Sequence, residues 1–387
     1  MTFAEFFAGV GLVREGLESS GWKCVWANDI SADKMHTYVK NYGEEHFHLE
    51  DIWKVAAEPE KAIPSDIFLY TASFPCTDLS VAGSRAGLAG TESGTLRAVL
   101  EILKKKKLSN DQPKMVMLEN VSGFLTSHNG KDVVDTVSVL SNLGYFIDII
   151  ELDAVLFTPQ SRPRVFLIAV DESIASEFMY IKNALNPLDP WWEKFDEQPK
   201  LRSEKLKKII ASNETLNWGL FDIPLPQLRT QTIDDIIEAD IPMESPLWWS
   251  TERKKHLFSQ MNQSHQLKLN EMVEKARYSY GTVFRRMRSG KSMAELRTDG
   301  IAGCLRTPRG GSSKQILVCA GHGNWNVRLL TPREYARLQG VRDDFILPDN
   351  TNKGYFAMGD AVCVPAIEHL SKYALTPVYR TYMKELY

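Results

Sequence analysis

Cysteine is scarce: five in 387 residues, odd in number and scattered as Cys24, Cys76, Cys304, Cys319 and Cys363. No CxxC pair occurs, which excludes a disulfide framework and a zinc site of the usual spacing. The expectation is reduced thiols and no metal. Long hydrophobic runs are missing too, with nowhere the roughly 18 apolar residues of a membrane span. The N-terminal apolar run is interrupted by Glu5, Gly9 and Gly11, unlike a secretory leader. A cytoplasmic chain without membrane contact is therefore expected. Charge of one sign is not in excess either. At a formal net charge of -3, a nucleic-acid partner would have to be met by a local patch.

What is present is alternation. Strand-like runs at 2–6, 23–27, 66–71, 114–118, 145–150 and 164–170 alternate with helically spaced segments at 12–20, 31–42, 93–107 and 131–143. This predicts an α/β fold with a doubly wound, mostly parallel sheet and helices on both faces. Lys104, Lys105, Lys106 and Lys107 read as the solvated end of a helix. After about Asp171 the alternation fades, and prolines, basic residues and tryptophans take over (Trp191, Trp192, Trp218, Trp248, Trp249). Between Glu252 and Arg297 eleven Lys/Arg stand against four Glu, so this region reads as a second domain suited to nucleic acid. Helical spacing at 267–280 offers the plainer alternative of a solvated helix. The tryptophans read as core of that second domain. A last amphipathic helix is expected at 365–375.

Three stretches carry chemistry. Phe7, Gly9, Val10 and Gly11 lie between a strand and a helix, where glycines let backbone approach a ligand beside helix N–H groups. Asp29, about 20 residues on, can accept ribose hydroxyls, with Ile30 to cover an adenine and Asp51 and Ile52 to meet its edge. Together they favour a nucleoside cofactor. Next comes Ser73-Phe74-Pro75-Cys76, followed by a loop of small residues suited to a lid. Alone, Cys76 reads as a small buried hydrophobe. Glu119 ends an apolar strand at the same sheet edge, where a carboxylate is costly unless paired or used. Gln160-Ser161-Arg162-Pro163-Arg164 brings two guanidiniums toward that face. A thiol, a carboxyl group and arginines together suit covalent catalysis on a polar ring.

The order of these motifs resembles that of the cytosine-C5 DNA methyltransferases, AdoMet-dependent enzymes typical of bacterial restriction–modification systems. FAGVG, FPC, Gly94-Thr95-Leu96, Glu119-Asn120-Val121, the QxRxR of 160–164, RLLTPREYARLQG at 328–340 and Gly359-Asp360-Ala361-Val362 stand in the family's order. Thr77 replaces the family's glutamine, Leu12 a glycine and Asp360 an asparagine, and Ile30 stands where an aromatic may cover the adenine. The resemblance implies a Rossmann-like AdoMet-dependent methyltransferase domain over 1–172 and 350–387, and a smaller target-recognition domain over 173–349. It implies double-stranded DNA as substrate, S-adenosyl-L-methionine as cofactor and S-adenosyl-L-homocysteine as product.

Its catalytic residues would be Cys76, Glu119, Arg162 and Arg164. The cofactor would meet Phe7, Gly9, Val10, Gly11, Asp29, Ile30, Asp51, Ile52, Pro75, Leu96, Asp360, Ala361 and Val362. DNA would meet Ser80, Arg85, Arg285, Arg286, Arg288, Arg306 and Arg309. The protein is expected to be a monomer, associated with the nucleoid through DNA, with a cognate restriction endonuclease as a functional partner. Two alternatives stay open. The tRNA-cytosine branch of the family usually carries Cys-Phe-Thr in its small domain, and no such tripeptide occurs here. A non-catalytic DNA-binding relative would share the fold without the reaction.

Overall fold

The computed structural model describes residues 1–76, 90, 93–183, 186, 189–288, 290–307 and 314–385. It divides into two compact units, Met1–Leu152, Pro163–Pro226 and Ala366–Tyr387 in one, Asp153–Arg162 and Gln227–Pro365 in the other.

Seven strands build the first unit: β1 (Thr2–Phe6), β2 (Lys23–Asp29), β3 (Phe47–Leu49), β4 (Leu69–Ser73), β5 (Met115–Val121), β6 (Tyr145–Asp153) and β7 (Pro163–Asp171). Their order in the sheet is β3-β2-β1-β4-β5-β7-β6. The pairs from β3 through β5 are parallel and β7 runs antiparallel to β5. The mostly parallel sheet expected from alternation is thus present. Helices Leu12–Glu18, Ala32–Tyr42, Leu96–Leu108 and Lys131–Asn142 occupy the helically spaced segments. Ser31 caps the second of these by accepting from the Lys34 N–H.

Three features differ from expectation. The lysine run is not a solvated end, because Lys106 is fully buried, its Nζ 2.6 Å from Asp111 Oδ2 and 3.1 Å from the Ile63 carbonyl. Lys105 donates to the carbonyls of Ala56 and Ala57. The adjacent Lys105 and Lys106 tether the helix to neighbouring backbone, while Lys104 pairs with Glu101 at the surface. The terminal helix is longer than 365–375. It starts at Val364, widens into a π-turn over Ser371–Leu375 and resumes as Thr376–Glu385. Pro377 explains the widening, since a proline has no N–H for the preceding turn. Trp191, Trp192 and Trp218 pack in the first unit's core, not the second's.

In the second unit a four-stranded sheet of order β11-β10-β12-β13 is antiparallel throughout. It follows β8 (Tyr180–Ile181) and β9 (Gly219–Leu220), a short pair in the first unit. Its strands are β10 (Ser279–Arg288), β11 (Lys291–Arg297), β12 (Ile316–Gly321) and β13 (Asn324–Leu329). Trp249, Leu257, Leu269 and Met272 pack with Val283 and Leu296 to make its core. The segment 267–280 is therefore not one helix: Gln263–Val273 is helical and β10 begins at Ser279. The basic stretch that follows is a hairpin, its apolar alternation outweighing the helical spacing.

The units also depart from the domain limits expected at 172/173 and 349/350. Residues 173–226 stay with the first unit because Trp191, Phe195, Leu206, Ile210 and Trp218 complete its core. Residues 350–365 stay with the second. There Tyr355 meets Tyr335 at 4.9 Å between ring centroids, and Gln339 donates to the Met358 carbonyl. The run at 328–340 is scaffold. Thr331 and Glu334 form a capping box for Pro332–Leu338, and Glu334 also takes both terminal nitrogens of buried Arg328.

Candidate active site

Sheet register brings the chemistry of the first unit to one edge. Asn28, Phe6, Ala72 and Leu118 stand opposite one another across β2, β1, β4 and β5. The residues just beyond this row are Asp29, Phe7, Ser73 and Glu119, all at carboxyl ends of parallel strands. Because β7 is reversed, its amino end reaches the same edge, with Arg164 opposite Val121. Cys76 follows the last residue of β4, Ser73, by three positions. This is the edge where open α/β sheets bind ligands.

The loop after β1 is built for close approach. Phe7 has φ of +55°, a left-handed conformation that costs a bulky residue energy and marks a functional turn. Gly9 and Gly11 also have positive φ, for different reasons. A Cβ on Gly11 would lie 2.5 Å from a Tyr42 ring atom, so this glycine serves helix packing. A Cβ on Gly9 would have only ordinary contacts, which leaves the loop surface open to a ligand. Asp29 ties the loop down: one carboxylate oxygen accepts from the Gly9 N–H, the other from the Ser31 N–H, both at 2.9 Å. A carboxylate offers about four lone-pair positions, so acceptor capacity for ribose hydroxyls remains. Ile30 is 71% exposed beside it, an apolar face of the kind an adenine covers. Asp51 caps the helix Ile52–Ala57 through the Trp53 N–H.

Val10, Ile52 and Leu96 are buried. Asp360, Ala361 and Val362 belong to the second unit. Pro75 is half-buried at the Cys76 turn.

Sequence reasoning registered Glu5 only as a break in an apolar run. Glu5 is buried within β1, its Oε1 3.4 Å from the Arg14 N–H and its Oε2 without a partner among the described residues. A carboxylate inside a buried strand was the available signal, the same one that marked Glu119. Burial pushes its carboxyl up to about 8, against a smaller downward pull from Arg14.

The shift has a stability consequence. Folded Glu5 keeps a proton that the unfolded chain loses between pH of about 4.5 and about 8, so stability falls as pH rises through that window. Glu5→Gln is expected to remove this loss. Urea unfolding at about pH 5 and about pH 9 should show the parent losing a few kcal/mol more than the variant. Parallel profiles would show that Glu5 does not titrate in the fold.

The Cys76 turn is held from β5. Asn120 donates from its side chain to the Phe74 carbonyl at 2.9 Å, and Phe74 packs edge-on against Phe124. Asn120 is thus a positioning residue that the motif alone did not explain. Cys76 is half-buried and in no disulfide. Buried Glu119 is paired with Arg164, Nε to Oε1 2.9 Å, which answers how its charge is tolerated.

Arg162 does not join that pair. It is 1% exposed and donates to the carbonyls of Leu305, Gly359 and Ala361, all within the second unit. The boundary between units falls between Arg162 and Pro163, so two residues that share a side of an extended chain serve different units. A guanidinium so enclosed positions backbone. Gln160 and Gln339 reinforce it, binding the backbone of Leu305 and of Ala361 respectively. A Cβ on Gly359 would fall 2.6 Å from the Arg306 carbonyl carbon, so that glycine permits the close pass of 306–307.

Of the expected DNA contacts, Arg306 is exposed, whereas Arg286 and Arg288 are engaged by Glu295. Ser80, Arg85 and Arg309, and Thr77 with them, lie outside the described residues.

Comparison with known proteins agrees with this arrangement. A family model described as C-5 cytosine-specific DNA methylase matches residues 1–375. The Type II methyltransferase M.HpaII of Haemophilus parainfluenzae is 26% identical over 399 residues, covering 98% of this chain and 91% of that protein. M.Bsp6I of Bacillus sp. (strain RFL6) is 27% identical over 378 residues, covering 96% and 98%. The crystal structure of S. pombe Dnmt2 methyltransferase has the same fold, with a TM-score of 0.61 at 18% identity over 98% of this chain and 99% of that one. A match of that extent, over a sheet edge that carries Cys76, Glu119 and Arg164, places the chain in the family: it belongs to the C-5 cytosine-specific DNA methylases.

Proposed function

We propose that the protein is a site-specific DNA methyltransferase of a restriction–modification system, acting on a cytosine flipped out of duplex DNA. The observation that carries this reading is the single sheet edge shared by Cys76, the Glu119–Arg164 pair and the Gly9–Asp29 loop. The Type II relatives support the biological setting.

A cytosine inside a duplex is out of reach of a thiol, so extrusion precedes chemistry at a cost of a few kcal/mol in lost stacking. The Cys76 thiolate adds to C6, forming the S–C6 bond and moving the C5–C6 electron pair toward C5 and N3. Glu119 accepts from the exocyclic amine and passes a proton to N3, which neutralises the negative charge that develops on the ring. Arg164 orients Glu119 and donates to O2. S-adenosyl-L-methionine, held by Phe7, Gly9, Asp29, Ile30 and Asp51, supplies the electrophilic methyl group when bound. Solvent water then takes the C5 proton, whose electron pair returns to the ring and expels the Cys76 sulfur as thiolate, and N3 gives its proton back to Glu119, leaving 5-methylcytosine. Arg162 and Asn120 act through backbone they position.

Transfer of labelled methyl from AdoMet to duplex DNA, with tRNA as the competing acceptor, tests the reading. Label in DNA and not in tRNA is expected. Label confined to tRNA would refute the substrate, and label in neither would favour a DNA-binding relative without activity. Bisulfite sequencing of DNA from expressing cells would then give the target site.

A further inference from the structure

The antiparallel sheet of the second unit does not end level. β10 pairs with β12 as far as Val283, opposite Ile316, but with β11 as far as Arg288, opposite Lys291. From Phe284 to Arg288, β10 therefore runs on with β11 alone, a two-stranded ribbon among the described residues. Gly290, with φ of +75°, permits the tight return at its tip.

The two faces of the ribbon differ. The helices Thr251–Ser259 and Gln263–Val273 cover the face of Val283 through Leu257, Leu269 and Met272. Their cover reaches Ala294, whose N–H donates to the Gln260 carbonyl and which stands opposite Arg285. Met287, the next side chain of β10 on that face, lies past this point and is 62% exposed. On the other face Glu295 engages Arg286 and Arg288, and the Arg286 guanidinium carbon lies 5.6 Å from the centroid of the Phe284 ring. Two bare strands are marginal in water, and these cross-strand contacts brace them.

Between Phe284 and Glu295 four cations stand against one acid. An exposed apolar side chain at the tip of such a ribbon marks a binding surface, and the charge around it selects a polyanion. The major groove of DNA, about 12 Å wide, admits a two-stranded ribbon, and the apolar group displayed there is the C5-methyl of a pyrimidine.

We infer that the ribbon enters the major groove, with Met287 packing on a pyrimidine C5-methyl group while Arg288 and Lys291 face the phosphates. The inference rests on duplex DNA being the substrate. A thioether offers no strong hydrogen bond, so Met287 discriminates by the methyl group, whereas the cations add affinity without regard to sequence. Sequence reasoning marked the arginines and passed over Met287, because what distinguishes it is the unequal length of two strand ladders.

The test uses the full-length protein and a duplex that it selects from a random pool. Each thymine is replaced singly by uracil, and each cytosine by 5-methylcytosine. The parent is expected to lose about three- to tenfold in affinity at one uracil, which assigns a thymine methyl, or to gain as much at one 5-methylcytosine, which assigns that base. Met287→Ala should bind the modified and unmodified duplexes alike. Arg288→Gln/Lys291→Gln should lower the slope of log Kd against log salt by about 1–2, and thermal unfolding checks that both variants fold. A parent indifferent to every exchange, or a Met287→Ala variant that keeps the parent's response, overturns Met287 as a reader. An unchanged slope in the folded glutamine variant overturns the entry of the ribbon into the groove. A parent that binds no duplex at all would instead refute the DNA reading beneath the inference.

Discussion

Cys76→Ser is expected to lower methyl transfer by about four orders of magnitude or more while leaving a folded protein. The reason lies in the nucleophile. A thiol near the usual range releases its proton within reach of neutral pH and presents a polarisable sulfur, whereas a serine hydroxyl ionises many units higher. Cytosine C6 is a weak electrophile, so an un-ionised oxygen does not add at a useful rate. The substitution removes little packing, since Cys76 is only half-buried. The direct readout is a denaturant-resistant adduct on a duplex containing 5-fluorocytosine, formed in the presence of AdoMet. Fluorine at C5 cannot leave as the proton does, so sulfur elimination stalls and the thioether persists. The parent should give the adduct and Cys76→Ser none. A serine variant that methylates at a rate within tenfold of the parent would remove Cys76 from the reaction.

Glu119→Gln should cost about 10²–10⁴ in kcat, with a smaller change in DNA affinity. A glutamine fills the same space and can still donate to N3, but it cannot hand over a proton or carry the charge that complements Arg164. The second effect is structural. Arg164 would face a neutral amide across its 2.9 Å contact with the position of Glu119, in a site where both side chains are largely enclosed. Unpairing a buried cation in this way costs about 1–3 kcal/mol of stability. Thermal unfolding of Glu119→Gln, with Glu119→Gln/Arg164→Gln beside it, separates the two effects. The double variant should regain stability without regaining activity. If it regained activity as well, Glu119 would act only as the partner of Arg164.

These two predictions draw on different levels of the molecule. The candidate nucleophile was legible in Phe74-Pro75-Cys76 once Glu119 and Arg164 stood in the same motif order. Glu119 was visible as a carboxylate ending an apolar strand, a placement that demands a partner. The identity of that partner was only half legible. QxRxR offers two arginines, and extended backbone puts both on one side. Their separation into different units depends on where the chain passes from one core to the other, and no local spacing encodes that.

The same distinction runs through the fold. Strand and helix periodicity, the glycines after β1 and the ordered motifs were properties of short stretches, and the sequence by itself determined the mostly parallel sheet and the family. Long-range packing decided the rest. Trp191 and Trp218 went to the first core, Lys106 turned inward to Asp111, and the segment 267–280 divided between helix and strand. Only tertiary structure could show that Glu5 is buried with one carboxylate oxygen lacking a partner among the described residues, and that Arg162 grips backbone. A side chain's type is written in the sequence, but its charge balance depends on what the fold places within hydrogen-bonding distance.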